Sequence, residues 1–303
     1  MTTIGVLGMG AMGSGVAGRL ARNRARVLTD LTGRNDDTKS RAAVIGAEDV
    51  SLDAMIAQSE MILSIIPPSS AVETASRVAE RIAAGAARPI FIDANAMAPQ
   101  TTKTIHSIFK KLSQPYGGDA SIIGAPPKGS GPGPRFYMSS PVTEAAETLQ
   151  ELKLDARILS DVIGDASTLK MSYAGITKGF QALGSAMVLG AACNGAFDSL
   201  IEELNFSQSE LTGWLRRQLP RMYSKAHRWD GEMREIATFL EPEIGSTMML
   251  SGAAELYFHI ALDNEAGPDS EILSTLERFV KAENSYAAQT WAARTRHLKT
   301  GVS

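Results

Sequence analysis

The sequence has little of what a metal site or a disulfide needs: one cysteine, Cys193, and four histidines among 303 residues. One cysteine excludes an intramolecular disulfide, and no cysteine or histidine pair has the spacing of zinc ligands. We therefore expect no structural metal and a reducing compartment, the cytoplasm.

An excess of charge of either sign is also lacking. Lys and Arg total 30 and Asp and Glu total 33, a formal charge of -3. Nucleic acids and anionic lipids are bound by polybasic surfaces. We therefore expect no nucleic-acid partner.

Long hydrophobic runs are absent as well. The longest weakly polar stretch, residues 182–197, contains Asn194 and is shorter than the roughly 20 residues that span a bilayer. No basic and apolar leader precedes the first strand pattern, so we expect no secretory signal. We expect no membrane partner and interpret the stretch as a buried helix.

Short β-branched runs alternate with amphipathic segments as far as residue 163, a pattern typical of parallel strands joined by crossover helices. Beyond Gly164 the strand signals stop and apolar residues recur at helical spacing. We expect an α/β fold, with a Rossmann-type doubly wound sheet at residues 1–163 and an all-helical substrate and dimerisation domain at residues 164–303 that begins with a long interdomain helix. The expected strands are Ile4–Leu7, Val27–Thr29, Met61–Ile66, Ile90–Asp93, Ser121–Ile123, Arg135–Ser139 and Ala156–Leu159, and the expected helices are Ala11–Arg22, Asp37–Ile45, Ser70–Ala83, Pro99–Leu112, Ser167–Phe197, Ser207–Gln218, Met222–Leu240, Gly245–Leu262 and Glu271–Thr295, with a Pro/Gly-rich loop at residues 125–134.

A glycine pattern directly follows the first expected strand and opens the first helix. In this context the first glycine permits a tight turn, the second lets the backbone approach a pyrophosphate, and the third allows close helix–strand packing. The helix N-terminus adds free N–H groups and a positive dipole end. The pattern predicts a dinucleotide site formed by Gly8, Met9, Gly10, Ala11, Met12 and Gly13.

Two signals at the end of the second strand conflict over the cofactor. Asp30 would accept hydrogen bonds from a ribose 2′-hydroxyl and repel a 2′-phosphate, whereas Arg34 would pair with that phosphate. We favour NADP, because the Gly33-Arg34-Asn35 turn supplies charge and flexible backbone donors together; NAD remains an alternative.

The glycine turn, followed by Ala17, Arg19 and Leu20, resembles the first motif of the β-hydroxyacid dehydrogenases, the family of the 3-hydroxyisobutyrate and 6-phosphogluconate dehydrogenases. Segments of the helical half are similar to a branch with a phosphogluconate-dehydrogenase-like C-terminal domain of unknown function. The resemblance covers the whole chain and implies that Ile66, Pro67, Pro68 and Asn95 contact the cofactor. The matching segments are Leu63–Pro68, Ile92–Pro99, Gly164 with Ser167–Tyr173, Lys170–Gly179 and Arg228–Ala237.

The resemblance implies that Lys170 is the general acid/base that moves the hydroxyl proton. Burial disfavours the charged form of a lysine, which makes its proton easier to exchange near neutral pH. Lys178 lies on a similar helical face and is the competing candidate. Ala174 replaces the family's asparagine, which leaves Tyr173 or Thr177 as polar substitutes.

The expected substrate residues depart from the family pattern. Ile123 replaces a serine and Ala125 a glycine around Gly124, so the usual carboxylate anchor is changed, while Asn95 replaces a serine and is expected to orient the substrate. Lys128 and Arg135 are candidates for anion recognition. In the helical half the candidates are Trp229 and Glu232, with Glu235 on the same face; a subunit interface or an exposed face is the alternative for this cluster.

These residues predict an NADP-dependent oxidoreductase that transfers hydride between nicotinamide and a hydroxyl or carbonyl carbon of a small polar metabolite. Imine reduction is one alternative, and a catalytically silent cofactor-binding or redox-sensing protein is another. Small residues on the long helix predict a homodimer through the helical domain. The resemblance implies that Trp229 or Glu232 serves the neighbouring subunit's pocket.

Overall fold

The computed structural model describes residues 1–129, 131–267 and 270–282. The chain forms two compact units, Met1–Tyr173 and Ala174–Ser303. The sequence places the boundary at Gly164, whereas the division lies inside the long helix that follows it. The first turns of that helix bond to the sheet, as described below, and therefore count with the first unit.

The first unit contains an eight-stranded sheet in the order β3-β2-β1-β4-β5-β6-β7-β8. All neighbouring strands are parallel except β6 and β7, which are antiparallel. The carboxyl ends of β1, β4, β5 and β6 therefore share one edge of the sheet. The strands are β1 (Thr3–Leu7), β2 (Arg26–Thr29), β3 (Glu48–Asp49), β4 (Met61–Ser64), β5 (Ile90–Asp93), β6 (Tyr116–Ile123), β7 (Arg135–Ser139) and β8 (Asp155–Ser160).

Helices cover both faces of this sheet, so the expected doubly wound architecture is confirmed. One buried apolar cluster joins α1, α2 and α6 to one face, and a second joins α3, α4 and α5 to the other. Their apolar residues recur at helical spacing, which gives each helix one stripe to bury against the strands. The helices are α1 (Ala11–Arg22), α2 (Asp36–Val44), α3 (Leu52–Gln58), α4 (Ala71–Ala84), α5 (Pro99–Lys111) and α6 (Glu144–Glu151).

The described part of the second unit is all-helical, as the sequence predicts. No helix in the described part of the chain is long and apolar enough to cross a membrane. The remaining helices are α7 (Asp165–Cys193), α8 (Phe197–Ser207), α9 (Ser209–Tyr223), α10 (Ala226–Phe239), α11 (Ile244–Ala266) and α12 (Glu271–Lys281).

Several expected boundaries were wrong for local reasons. The strand expected to begin at Ser121 begins at Tyr116, because its first half contains Gly117, Gly118 and Asp119, which have low β-propensity. Pro220 was expected to separate two helices but lies inside the last turn of α9, where it costs the helix one N–H donor and only three residues of the helix follow it.

Three short elements gave no clear periodic signal and were missed: β3, α3 and α6. The long helix begins at Asp165 and ends at Cys193, before the expected Phe197, and β4 ends at Ser64 rather than Ile66. The sequence predicts that the last helix continues to Thr295, but the residues after Ala282 lie outside the described part of the chain.

The start of α7 is held against the sheet by buried polar groups. The carboxylate of Asp119, on β6, accepts hydrogen bonds from the N–H groups of Gly164 at 3.0 Å and Ser167 at 2.9 Å. The hydroxyl of Ser139 on β7 accepts from Ala166 N–H at 2.6 Å. These bonds satisfy N–H groups that a helix N-terminus leaves without intrahelical partners, and they fix where the first residues of α7 lie.

Candidate active site

The glycine turn lies between β1 and α1, and each glycine has the geometry that its predicted role requires. Gly8 has φ +96°, and a Cβ there would lie 2.3 Å from the carbonyl oxygen of Ile65. A Cβ on Gly13 would lie 1.8 Å from the carbonyl oxygen of Gly8, so helix and turn are in contact. Gly10 has nothing within 4 Å of its Cβ position. The first and third glycines are needed for the fold, and the second borders open space.

The open space above Gly10 fits a dinucleotide pyrophosphate. Gly10 precedes the first residue of α1, and no side chain caps the helix there. The N–H groups of the first turn therefore remain available to an anion, and the helix dipole favours it. Arg41 supports the turn from α2, since its Nε donates to the carbonyl oxygen of Met9 at 2.8 Å. The side chain of Met9 is buried in the core and faces away from such a ligand.

The loop that follows β2 holds two of its polar side chains in local bonds. Asp30 accepts a hydrogen bond from Thr32 N–H at 2.9 Å, and Asn35 caps α2 by accepting from Thr38 N–H at 3.0 Å. Arg34 lies between them and is exposed. The loop is therefore shaped by Asp30 and Asn35, while the guanidinium of Arg34 is directed to solvent.

The amide of Asn95, which the sequence expects to orient the substrate, is turned into the protein and bonded there. Its Oδ1 accepts from Ile66 N–H at 2.6 Å, and its Nδ2 donates to Asp93 Oδ1 at 2.7 Å and Ser64 Oγ at 3.1 Å. The side chain is 6% exposed. Asn95 therefore ties the ends of β4 and β5 together and positions the Ile66-Pro67-Pro68 segment.

A buried carboxyl group lies beside Asn95 that the sequence did not single out as functional. The pKa of Asp93 is raised to about 7, mainly by burial and also by the neighbouring Asp119 carboxylate, against the lowering effect of the bonds from Asn95. Asp93 Oδ2 and the hydroxyl of Tyr116 are buried without partners among the described residues. The end of β5 therefore contains a carboxyl group that changes its protonation near neutral pH.

Lys170 lies at the carboxyl end of β6. It is half-buried, and its Nζ donates a hydrogen bond to the carbonyl oxygen of Ile122 at 2.5 Å. Because β6 is parallel to β5, β4 and β1, this ammonium group lies at the edge of the sheet that also carries the glycine turn. Ile123 and Gly124, the predicted substrate residues, directly follow the Ile122 carbonyl that Lys170 contacts.

A cavity of about 460 Å³ opens within the first unit, lined by Leu169 and Ile123, the chain neighbours of Lys170 and of Ile122. Its walls come from the end of β6, the loop that follows, β7, β8 and the first turns of α7. Tyr173, predicted as a polar substitute for the family's asparagine, is 50% exposed and contributes to this cavity. The lining residues are Ile123, Gly124, Pro132, Gly133, Arg135, Tyr137, Asp155, Leu169 and Tyr173.

The Pro/Gly-rich loop is attached to α1 by Arg19, a residue that the sequence marked only as part of a motif. Arg19 is 7% exposed, and its guanidinium donates to the carbonyl oxygens of Pro132, at 2.9 Å, and Gly131. A Cβ on Gly133 would lie 3.0 Å from that guanidinium. Lys128 is exposed and lines a second cavity of about 450 Å³ between this loop, α1 and α2.

The second unit pairs two predicted site residues with each other. Lys178 forms an ion pair with Glu232, and the two side chains are 13% and 20% exposed. Lys178 Nζ also lies 5.1 Å from the ring centroid of Trp229, which is 8% exposed and contacts Tyr257 edge-to-face. The three side chains therefore form a packed cluster within the second unit, and their predicted roles in proton transfer, substrate binding and a neighbouring subunit's pocket stay predictions.

Thr177 belongs to the second unit as well. Its hydroxyl donates to the carbonyl oxygen of Ala174 at 3.5 Å, within the same helix. Such a bond satisfies the hydroxyl locally and assigns it no contact with a ligand. Its predicted role as a polar substitute stays a prediction.

Family models match both parts of the chain. Residues 3–131 match the NAD-binding domain of 6-phosphogluconate dehydrogenase, and residues 191–260 match a domain of unknown function, DUF1932. The resemblance to the β-hydroxyacid dehydrogenases, and to their branch with an unassigned C-terminal domain, is thereby confirmed.

Individual proteins show the same similarity. An uncharacterized 28.5 kDa protein of Methanothermus fervidus is 23% identical over 261 residues, which are 85% of this chain and 98% of that protein. A conserved protein of unknown function, described as structurally similar to 3-hydroxyacid dehydrogenases, has a TM-score of 0.65 at 24% identity and covers 85% of this chain and 96% of its own. The 3-hydroxyisobutyrate dehydrogenase of Mycobacterium tuberculosis, solved with L-serine, has a TM-score of 0.65 at 18% identity and covers 91% and 99%. At these identities the structures show a shared fold.

The open position above Gly10 leads to a test of the cofactor site. We expect Gly10→Ala to raise the Kd for NADPH at least about tenfold, or about 1.4 kcal/mol, because the added methyl group occupies the path of the pyrophosphate. Its melting temperature should stay within about 2 °C of wild type, since the φ of -68° suits alanine and no atom is close. Fluorescence titration with NADPH and thermal unfolding measure the two effects. The matched control is Gly190→Ala in α7, where the Cβ position is equally open; equal NADPH affinity in all three proteins would contradict the assignment.

Proposed function

Because the chain carries both domains of this family branch, we propose that it is an NADP-dependent oxidoreductase of the β-hydroxyacid dehydrogenase type. It would transfer hydride between nicotinamide and a hydroxyl or carbonyl carbon of a small polar metabolite, with Lys170 as general acid/base. The observation that carries the proposal is the Lys170 ammonium group, which lies at the same edge of the sheet as the glycine turn.

The cofactor would be held by backbone groups. The first-turn N–H groups of α1 would bind the pyrophosphate, and the loops after β2 and β4 would flank the rest of the molecule. When bound, the nicotinamide supplies or accepts the hydride. Asn95 acts here as a positioning residue, because its amide sets the Ile66 end of the β4 loop.

Lys170 would handle the proton. The Ile122 carbonyl accepts a hydrogen bond from one of the three N–H groups of the ammonium group and fixes the position of Nζ. In reduction the ammonium donates a proton to the substrate oxygen as hydride arrives at carbon, and in oxidation the neutral amine accepts it back. Lys178, the competing candidate, belongs to the second unit and pairs there with Glu232.

A variant of Lys170 tests the mechanism. We expect Lys170→Met to lower kcat by about 10²- to 10⁴-fold, the usual contribution of a positioned acid or base, while NADPH affinity stays unchanged. Turnover would be measured on a panel of β-hydroxy acids, β-keto acids and cyclic imines, with Lys110→Met on α5 as an exposed control.

The outcomes of that panel separate the alternatives. Full turnover by Lys170→Met would remove the residue from the mechanism. Turnover confined to cyclic imines would identify C=N reduction, and tight NADPH binding without any turnover would indicate a cofactor-binding or redox-sensing protein. The proposal is supported if wild type and Lys110→Met turn over a β-hydroxy or β-keto acid and Lys170→Met loses that turnover.

The preference for NADP is proposed from the loop after β2. Arg34 is exposed there, and the Asp30 carboxylate is bonded to Thr32 N–H, which supports a 2′-phosphate beside Arg34. We expect Arg34→Gln to weaken NADPH binding about tenfold by loss of charge-assisted hydrogen bonds and to leave NADH binding unchanged. Arg77→Gln, an exposed arginine on α4, is the control; equal losses for both cofactors would contradict a 2′-phosphate contact.

A homodimer through the helical domain is the proposed assembly. Ile176, Phe180, Leu183 and Met187 recur along one face of α7 and are 61%, 52%, 58% and 57% exposed. A contiguous apolar row of this kind favours burial against another protein surface, and we propose that a second copy of this chain covers it.

Sedimentation tests this assembly. We expect a dimer at micromolar concentration for wild type and a monomer for Leu183→Glu, because a carboxylate would be buried without a partner. Val44→Glu, at an 86% exposed position on α2, should remain dimeric. A monomeric wild type would contradict the proposal.

A further inference from the structure

The cavity next to Lys170 contains a cationic group that the proposed chemistry does not use. Arg135 lines the cavity at the start of β7, and its side chain is 57% exposed. Its Nε lies 3.8 Å from Asp155 Oδ2, a loose contact. The Arg135 guanidinium is therefore accessible from the cavity.

The charge of Asp155 is compensated mainly by another arginine. Arg157 binds both carboxylate oxygens, at 2.7 Å and 2.9 Å. This pairing, with a smaller contribution from Arg135, holds the pKa of Asp155 below its usual value, so the carboxylate stays ionised. Two guanidinium groups and one carboxylate leave this end of the cavity with a net positive charge.

We propose that this cavity binds the anionic group, a carboxylate or a phosphate, of the substrate and that Arg135 is the residue that recognises it. The inference rests on the proposed oxidoreductase function. Arg135 faces Ile123, at the end of β6, across the β6–β7 pair. A planar guanidinium can bind either anion with two parallel hydrogen bonds.

The size and walls of the cavity define the rest of the substrate. A volume of about 460 Å³ lies within the range of about 300–1,000 Å³ found for sites that enclose drug-sized ligands. Glycine and proline residues form one wall, and the rings of Tyr137 and Tyr173 contribute to the others. The cavity therefore has room for an acid with a ring-sized body.

The cavity wall formed by the Pro/Gly-rich loop is held in place by Arg19. Its guanidinium binds the carbonyl oxygens of Gly131 and Pro132, and Pro132 and Gly133 line the cavity. Because Arg19 lies on α1, the same helix that would bind the cofactor also positions this wall. The cavity is therefore a built feature of the first unit.

Binding of a charged and an uncharged probe of the same shape tests the inference. The probes are 3-phenylpropanoate and 3-phenylpropanamide, titrated by calorimetry into the NADPH-loaded full-length protein. We expect Arg135→Gln to weaken binding of the acid at least about tenfold and to leave the amide unchanged, because only the acid uses the charge-assisted hydrogen bonds. Arg77→Gln, at an exposed position on α4 away from the cavity, is the control and should bind the acid as wild type does.

A third probe and a conservative variant sharpen the result. Phenyl phosphate in place of the carboxylate shows which anion the site prefers. Arg135→Lys should recover part of the affinity, because it restores the charge without the bidentate geometry. Absence of acid binding to wild type, an equal loss in Arg77→Gln, or acid binding unaffected by Arg135→Gln would each overturn the inference.

The inference and the proposed function fail separately. Arg135-dependent acid binding without turnover of any acid would keep the anion site and reject the oxidoreductase. If Arg135→Gln turns over acids and still prefers them to the matching amides as strongly as wild type does, the oxidoreductase function stands and the anion site is rejected.

Discussion

The arrangement of the first unit depends on the buried carboxylate of Asp119. It bonds to the N–H groups of Gly164 and Ser167 and so fixes the first turn of α7. Burial of an ionised group is costly unless hydrogen bonds and charge compensate it, and the N-terminus of a helix supplies both. Strand β6 then holds the same helix a second time, because the Ile122 carbonyl accepts from Lys170. One strand thus sets both the start of α7 and the position of its lysine ammonium.

The α1 helix connects the glycine turn with the Pro/Gly-rich loop that lines the cavity. Its first turn, at Gly10, borders the open space that fits a pyrophosphate, and Arg19 on the same helix holds the Pro/Gly-rich loop. That loop forms one wall of the cavity beside Lys170. A change at Arg19 would therefore act on the cavity wall without touching the turn itself.

Buried polar groups have different consequences in the two units. In the second unit Lys178 and Glu232 neutralise each other beside Trp229, which accounts for their burial without a ligand. At the end of β5, by contrast, Asp93 has its pKa raised to about 7, and one of its oxygens has no partner among the described residues. An ion pair whose hydrogen bonds are satisfied is explained by packing alone. A buried carboxyl group with an oxygen that lacks a hydrogen-bond partner, at the carboxyl end of a central strand, is a candidate for chemistry.

The sequence by itself determined the features that depend on neighbouring residues. The glycine turn, the α1 helix at Ala11–Arg22, the alternation of strands and helices and the change to an all-helical second unit are all local patterns. Only the tertiary structure decided which groups the polar side chains bond to. Asn95 bonds to Ile66 and Ser64, Lys178 to Glu232 and Arg19 to Pro132, and each pair is distant in sequence. Such pairings depend on where strands and helices lie in space, and neither periodicity nor motif spacing contains that information.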